Sequence, residues 1–360
     1  MSRPNVRVSS IFQLLFVAAI GAMFQKIYFR FMLVPDKFRT IIKIKTPPFQ
    51  ISHRDRLMSI GSCFSENIGR HFSESKFRVA VNPFGQQYNP ESVANAIQRL
   101  LDLQPYRENE LVFHDELFHS FDHHGSYSAP DATSMLFTIN QELKENAEWL
   151  LSSNVLFLTF GTAHVFRLAD GKAVSNCHKL PASRFSFEML SPEAIVEHLT
   201  RAITLLRNRN PDIKIVFTIS PVRYFAFGHY ENNLSKAHLF TAVNRLLQLF
   251  GDTYYFPAYE IVIDELRDYR FFAEDMLHPN HLATQYVWER TAATFFSKET
   301  LRLLEKIQPL MLAVRHRPRN PESDAHRKFI ERNLQLCKNL EEESGLDFSL
   351  ETAQLKAALK

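Results

Sequence analysis

The sequence predicts an α/β domain built on a largely parallel, five-stranded sheet, because short apolar runs alternate with longer amphipathic stretches. Five of the apolar runs have the length and composition of buried strands. They are RLMSIG (56–61), FRVAV (77–81), NVLFLTF (154–160), IKIVFTI (213–219) and TYYFP (253–257). The stretches between them are expected to form helices that pack on this sheet.

Three amphipathic stretches repeat apolar residues at spacings of three and four, as helices packed on a sheet do. They are ESVANAIQRLLDL, SPEAIVEHLTRAITLLRN and LSKAHLFTAVNRLLQLFG. Asn89 and Ser191 each precede a proline, which places a capping side chain directly before a first helical residue. Asp170 and Gly171, between two strand-like runs, predict the turn of a β-hairpin.

The composition favours a folded protein with reduced thiols. The 360 residues are 45% hydrophobic, which is enough for a large core in one large domain or two smaller ones. The 42 basic and 39 acidic residues are scattered and give a formal net charge of +3, which argues against nucleic-acid binding. Three widely spaced cysteines, Cys63, Cys177 and Cys337, fit a cytoplasmic protein better than a disulfide framework.

Residues 1–36 form an apolar leader that leaves three alternatives open. Residues 8–25 carry no charge. The length of this stretch lies between the apolar region of a signal peptide, about 7 to 15 residues, and the about 20 apolar residues of a membrane-spanning helix. The alternatives are a nonessential leader before a second start at Met32, a membrane anchor, and a cleaved signal. Basic residues after the stretch would keep the rest of an anchored chain on the cytoplasmic side.

The rest of the chain divides into a main domain at 37–297 and a charged, helical extension at 298–360. Within the main domain, residues 106–130 are rich in aromatic residues and histidine and lack helical or strand periodicity. We expect this stretch to be an insertion that covers one end of the sheet as a lid over the substrate pocket. Its metal-binding residue types, His114, His119, His123 and His124 with Asp115 and Asp122, are irregularly spaced, so no metal site is predicted.

Ser62 follows the first predicted strand, at the turn into a helix, which is where open α/β sheets place their ligands. One interpretation is that Ser62 caps this helix. The other is that it is a nucleophile, which needs a base. Asp275 and His278 stand three residues apart before a helix, so the carboxylate can orient one imidazole nitrogen while the other accepts the proton of a serine.

Cys63 is the rival nucleophile, because it stands next to Ser62. A reactive thiol needs its pKa lowered by a cation or a helix N-terminus, and Cys63 lies at a predicted helix start. Adjacent side chains on a tight turn point in different directions, so only one of the two can face the Asp275–His278 pair. We expect Cys63 to have a packing role.

Between residues 38 and 297 the sequence resembles the GSCFA-domain family, which is related to the SGNH or GDSL-like hydrolases. The resemblance rests on ordered matches, namely FRTIIKI, GSCFSENIG, VNPFGQQYNP, FLTFGTAHVF, SNCHKLP, ISPVR, LSKAHL and YFPAYEIVIDELRDYRFFAEDMLHP. Ser65 replaces the alanine of the motif. The resemblance implies a three-layer α/β/α sandwich with Ser62 as nucleophile, His278 as base and Asp275 as the residue that orients His278, and it implies no cofactor.

A hydrolase of this type must also stabilise an oxyanion with preorganised donors. The backbone N–H of Ser62 is one candidate, and the resemblance implies Gly85 as another. Gly161 follows the third strand, and Ala163 stands where related hydrolases usually carry an asparagine. The missing donor is then expected from Thr162, or from Asn176 and His178, although each of these has an alternative structural role.

The function expected from these features is serine-dependent hydrolysis or transfer of an acyl group from a small ester, carried on a sugar or a lipid. The absence of asparagine at Ala163 leaves a noncatalytic binding module as the alternative. Arg223 follows the fourth strand and is expected either to bind a polar or anionic part of the substrate or to form an ion pair with residues 264–268.

Overall fold

The computed structural model describes residues 39–358. These residues form ten strands: β1 (Arg56–Gly61), β2 (Arg78–Val81), β3 (Leu111–His114), β4 (Leu117–Ser120), β5 (Val155–Phe160), β6 (His164–Arg167), β7 (Ala173–Val174), β8 (Ser186–Met189), β9 (Lys214–Ile219) and β10 (Tyr254–Tyr255). The main helices are α1 (Cys63–Glu74), α2 (Pro90–Asp102), α3 (Ala132–Leu151), α4 (Pro192–Arg209), α5 (His229–Leu249), α6 (His281–Phe295), α7 (Lys298–Arg315), α8 (Asp324–Ser344) and α9 (Ser349–Ala357). A short helical turn, Ala258–Glu260, continues as a π-helical segment, Ile261–Leu266.

Five strands form the main sheet in the order β10-β9-β5-β1-β2, and every pair in it is parallel. The register pairs Gly61 with Thr159 and Phe160 with Ile219, so β1, β5 and β9 end at the same edge. Each of these strands begins within one residue of the predicted position. The fifth predicted run pairs only at Tyr254 and Tyr255.

Alternating side chains of the strands supply two cores, one on each face of the sheet. Met58 and Ile60 pack with helices α2 to α5, whereas Leu57 and Phe157 pack with α1 and α6. Much of the phenylalanine lies in the second core, where Phe72 contacts several other aromatic rings. The predicted three-layer α/β/α architecture is therefore confirmed.

The predicted helix starts and the predicted hairpin are also present. Asn89 Oδ1 accepts a hydrogen bond from Ser92 N at 2.8 Å, and Ser191 Oγ accepts one from Ala194 N at 3.2 Å. β6 and β7 pair antiparallel through a turn that contains Gly171 at φ 86°, and β8 completes a three-stranded sheet. Local capping and turn chemistry was therefore sufficient to place these features.

The insertion at residues 106–130 is more regular than its sequence indicated. It contains the antiparallel hairpin of β3 and β4, whose turn residues Asp115 and Glu116 adopt φ values of 50° and 61°. This turn geometry usually selects Asn-Gly or Asp-Gly. Because the chain has Asp-Glu at this turn instead, the sequence did not predict the hairpin.

The C-terminal extension forms a small helical unit with a core of its own, which includes Ile307, Leu310 and Cys337. After α7 the extension forms two helices, α8 and α9, and Glu351 Oε2 in the first turn of α9 forms a salt bridge of 2.9 Å with Lys76 Nζ. The domain limits at residues 36 and 297 stay predictions.

The apolar stretch at residues 8–25 lies outside the described residues. Between residues 39 and 358, no helix has both the length and the apolar character needed to cross a membrane.

Candidate active site

Ser62 lies at the carboxyl edge of the main sheet, between the last residue of β1 and the first residue of α1. Gly61 makes this position possible. Its φ is +154°, and a Cβ atom there would lie 2.2 Å from the carbonyl oxygen of Thr159. The close approach of β1 to β5 thus requires glycine directly before Ser62.

The Ser62 hydroxyl is buried and has no hydrogen-bond partner among the described residues. Ser62 occupies the N-cap position of α1, but its side chain makes no capping hydrogen bond. The capping interpretation is therefore wrong for the side chain. A buried, unpartnered hydroxyl costs about 1 to 3 kcal/mol, and at Ser62 this hydroxyl is left without a competing hydrogen bond from the described residues.

His278 is held by Asp275 as the spacing predicted. His278 Nδ1 lies 2.6 Å from Asp275 Oδ2, while Asp275 Oδ1 accepts the backbone N–H groups of Leu277 and His278 at 2.9 and 3.0 Å. These backbone hydrogen bonds, followed by the one from the His278 side chain, lower the pKa of Asp275 to about 2. The ionised carboxylate keeps the proton on Nδ1, which leaves Nε2 as the acceptor.

Ser62 and His278 line one cavity of about 540 Å³. The remaining lining is mostly apolar and includes Phe166, Val222 and Leu277. Asp275 lies in the adjacent cavity behind His278. His278 does not hydrogen-bond Ser62 here, since the hydroxyl has no partner among residues 39–358. The structure thus brings the His278 imidazole and the Ser62 hydroxyl into one cavity without a hydrogen bond between them.

Gly161 and Thr162 line the same cavity, but their backbone donors are already used. Both N–H groups donate to the carbonyl oxygen of Tyr88, at 2.8 and 3.0 Å. The N–H of Ser62 donates to Thr159 O at 3.3 Å. The Thr162 hydroxyl is shared between His164 Nδ1 and Ser235 Oγ, at 3.0 Å each. In this structure these groups form part of the cavity wall, and their hydrogen-bond donors are already used by other residues.

Gly85, Asn176 and His178 do not line this cavity. Gly85 lies in a tight turn at φ +75°, where a Cβ atom would fall 2.2 Å from His124 Cβ. Asn176 Oδ1 accepts the His178 N–H, and His178 Nε2 is 2.7 Å from the Ser120 carbonyl oxygen. The alternative structural role therefore describes Asn176 and His178, because the β3–β4 hairpin packs over them.

The insertion at 106–130 does not line the cavity either, so it is not a lid over Ser62 in this structure. Its histidines serve local contacts: His119 Nδ1 lies 2.6 Å from Ser128 Oγ, and His123 Nδ1 lies 2.9 Å from Ser120 Oγ. Within residues 39–358, no group of three or more histidine, cysteine or carboxylate side chains is arranged to hold a metal ion.

The Cys63 thiol shares the cavity with Ser62. Burial raises its pKa, and this effect outweighs the opposing hydrogen bond from the backbone N–H of Phe64. The thiol is accordingly protonated near neutral pH and a weak nucleophile. Ser65, the departure from the family motif, is buried with its hydroxyl bonded to that of Ser59, which explains why serine is tolerated there.

The sequence analysis singled out Arg223 but not Lys236, the other basic residue near the site. Arg223 lines the cavity, and no carboxylate pairs with it in the described part of the chain, so the alternative of an ion pair with residues 264–268 is not formed. Lys236 was missed. The signal was available, because Lys236 stands three residues before Leu239 on the buried face of α5. A lysine on an otherwise buried helical face is unusual enough to single out.

The structure thus defines a three-layer α/β protein with a serine-lined cavity at the carboxyl edge of a parallel sheet. The chain belongs to the GSCFA family, whose model matches residues 56–290, and residues 301–360 match the model of the GSCFA domain protein, C-terminal domain. No curated protein matches the chain.

Among solved structures, the chain is similar to an acetyl esterase mutant with acetate ion (7% identity, TM-score 0.33, covering 70% of this chain and 99% of that one). It is also similar to a carbohydrate esterase of family 3 from Talaromyces cellulolyticus (8%, 0.32, 70% and 98%). A third is an acetyl xylan esterase from the rumen bacterium Butyrivibrio proteoclasticus (11%, 0.34, 70% and 64%). Likenesses of this size do not assign an activity.

Proposed function

We propose that this protein is a serine-dependent acyl-ester hydrolase in which Ser62 is the nucleophile, His278 the general base and Asp275 the residue that orients His278. One observation carries the proposal. A buried hydroxyl without a partner among the described residues shares a cavity with an imidazole whose other nitrogen is held by an ionised carboxylate. A serine hydroxyl becomes a useful nucleophile only with such a base.

In the proposed reaction, Ser62 Oγ attacks the ester carbonyl carbon while His278 Nε2 takes the hydroxyl proton. The tetrahedral intermediate collapses, the bond to the alkoxy oxygen breaks, and the alcohol leaves with that proton. Water, deprotonated by His278, then attacks the acyl-serine, and the carboxylic acid is released as Ser62 regains its proton. Asp275 balances the imidazolium charge without taking a proton.

The chemistry needs His278 and Ser62 to approach within about 3 Å, and catalytic hydrogen bonds often tighten only when substrate is bound. The His278 side chain is about half exposed (48%) and lies on a loop ahead of α6, so we infer that it can move towards Ser62 when substrate binds. The cavity, of about 540 Å³, lies in the size range of small-molecule sites and leaves room for more than an acetyl group.

A noncatalytic binding module is the second candidate. The unjoined Ser62 and His278, the occupied backbone donors and Ala163 in place of asparagine favour it. A binding module would keep the cavity but would not activate Ser62.

A fluorophosphonate probe separates the two candidates, because it reacts covalently with an activated serine. We expect labelling of the native protein and none of Ser62→Ala. Ser175→Ala is the matched control, since Ser175 lines the same cavity but its hydroxyl already donates to Gln87 Oε1 at 2.6 Å. Equal labelling of native protein and Ser62→Ala, or no labelling of the folded native protein, would refute the proposed hydrolase.

A further inference from the structure

Lys236 places an ammonium group behind the candidate active site. The residue is 3% exposed, and Nζ donates to the carbonyl oxygens of Gly161 and Ser220, at 2.7 Å each. Gly161 directly follows β5 and Ser220 directly follows β9, so one side chain joins the carboxyl ends of two sheet strands. No carboxylate in the described part of the chain forms a salt bridge with it.

The groups that face Lys236 do not compensate its charge with a carboxylate. Cys63 of α1 and Arg223 after β9 are its charged or titratable neighbours, and the ring of Tyr259 lies 5.8 Å from Nζ. Two neutral carbonyls replace only part of the hydration that a buried ammonium loses. Burial lowers the pKa of Lys236 to about 7. Cys63 acts in the opposite direction, and the positive charge of Arg223 makes the smallest contribution, which adds to the lowering.

This costly arrangement lies directly against the candidate nucleophile. Gly161 and Ser220 both line the cavity. A Cβ atom on Gly161 would be 3.5 Å from Ser62 Cβ, so the peptide that Lys236 holds forms the wall against which Ser62 packs. A positive charge behind this wall favours negative charge that develops beside Ser62, and the low local dielectric strengthens the effect.

We propose that Lys236 is a positioning residue of the hydrolase: its ammonium group fixes the Gly161 and Ser220 carbonyls and provides the positive potential that stabilises the oxyanion formed when Ser62 attacks. This inference rests on the proposed function. Ala163 and the occupied backbone donors do not stabilise the oxyanion. The inference assigns part of this missing stabilisation to the charge of Lys236.

The inference predicts an unusual pH profile. Proton removal from Ser62 requires a neutral imidazole, so activity falls on the acidic side. Activity also falls on the alkaline side as Lys236 loses its proton, well below the ordinary lysine pKa of about 10.5. A bell-shaped profile of kcat is therefore expected, with the alkaline limb set by Lys236.

The experiment compares the pH profiles of kcat for the native protein, Lys236→Arg, Lys236→Met and the control Lys144→Met, an exposed lysine of α3. Thermal unfolding checks that each variant is folded. We expect kcat of Lys236→Met to fall roughly 10- to 100-fold with little change in KM, which is less than the loss of a direct oxyanion donor. Lys236→Arg should retain activity and lose the alkaline limb, because guanidinium stays protonated.

The native profile tests the inference even if neither variant of Lys236 folds. Suppose that the fluorophosphonate probe labels Ser62, but that kcat of the native protein stays level from pH 7 to pH 9.5. This result would overturn the role of Lys236 and leave the hydrolase proposal intact. The role of Lys236 is equally overturned if folded Lys236→Met matches Lys144→Met, or if active Lys236→Arg keeps the alkaline limb. A folded native protein without labelling or turnover would instead refute the proposed function, and the inference with it.

Discussion

His278 Nδ1 lies 2.6 Å from Asp275 Oδ2, and the other oxygen of this carboxylate accepts the backbone N–H of His278 itself. The side chain and the backbone of one residue therefore bind both oxygens of the carboxylate three positions earlier. This local arrangement orients the imidazole although both side chains are about half exposed.

The pair gives the first prediction. His278→Ala should lower kcat about 10³- to 10⁵-fold and Asp275→Asn somewhat less, because an imidazole without its carboxylate still accepts a proton in part of its orientations. The kcat of the double variant should be close to that of His278→Ala. Steady-state kinetics on a p-nitrophenyl ester measures this, and fully multiplicative losses would contradict a common role.

Asp275 also predicts a pH dependence of stability. Its pKa is lowered in the folded state to about 2, so its ionised form favours folding above the unfolded pKa near 3.8, and this contribution is lost as the pH falls towards 2. The difference in the free energy of unfolding between native protein and Asp275→Asn should therefore be present at pH 5 and shrink below pH 4. Urea unfolding at several pH values tests it, and a constant difference would count against the hydrogen bonds described.

Cys63→Ala should keep most of the turnover, since burial raises the pKa of this thiol and leaves it protonated. Its cost should be in stability, about 1 kcal/mol for a small half-buried side chain. Turnover and iodoacetamide sensitivity are measured together with those of Ser62→Ala. An inactive but folded Cys63→Ala beside an active Ser62→Ala would make the thiol the nucleophile.

Gly61→Ala should lower the free energy of unfolding by at least about 2 kcal/mol and abolish labelling of Ser62. The new Cβ atom would clash with the Thr159 carbonyl oxygen at 2.2 Å, at a φ of +154° that alanine rarely adopts. Gly251→Ala is the control, because no atom lies within 4 Å of its Cβ position. Similar stabilities of the two variants would show that β1 can shift freely.

Glu91 anchors the three-stranded sheet to α2. Its buried carboxylate accepts two hydrogen bonds from Arg167 of β6, at 3.0 and 2.7 Å. Glu91→Ala leaves the guanidinium with Glu188 as its remaining carboxylate partner and should destabilise the protein by about 2 kcal/mol. Glu197→Ala, which breaks an exposed pair with Arg201, should cost under about 0.5 kcal/mol. Chemical denaturation compares them, and equal losses would contradict the prediction.

Lys236 adds a stability test that does not depend on activity. Its pKa is lowered to about 7 in the folded state, so between pH 7 and pH 10 the unfolded chain binds more protons and stability rises with pH. This contribution to the slope should be missing in Lys236→Met and retained in Lys144→Met. Identical slopes in all three proteins would mean that folding does not lower the pKa of Lys236.

The candidate site was only partly predictable from sequence. Ser62, Asp275 and His278 could be proposed from the sequence because each lies in a local pattern, a strand-to-helix turn or a three-residue spacing. Asn176 and His178 lie outside the cavity, and the sequence left their role open because their contacts depend on a hairpin that packs from elsewhere in the chain. The position of Lys236 on an apolar helical face was visible in the sequence, but its contacts with the Gly161 and Ser220 carbonyls appear only in the tertiary structure.

By itself, the sequence determined the order and type of the elements, the turn that places Ser62 at the sheet edge and the pairing of Asp275 with His278. These follow from apolar periodicity, capping and short-range hydrogen bonds, which act over a few residues. Tertiary structure alone decided that the Ser62 hydroxyl is buried without a partner among the described residues, that the backbone donors of Gly161 and Thr162 are occupied, and that Lys236 holds the ends of β5 and β9. The reason is physical: burial and hydrogen-bond competition depend on which distant segments meet, and no local pattern encodes that meeting.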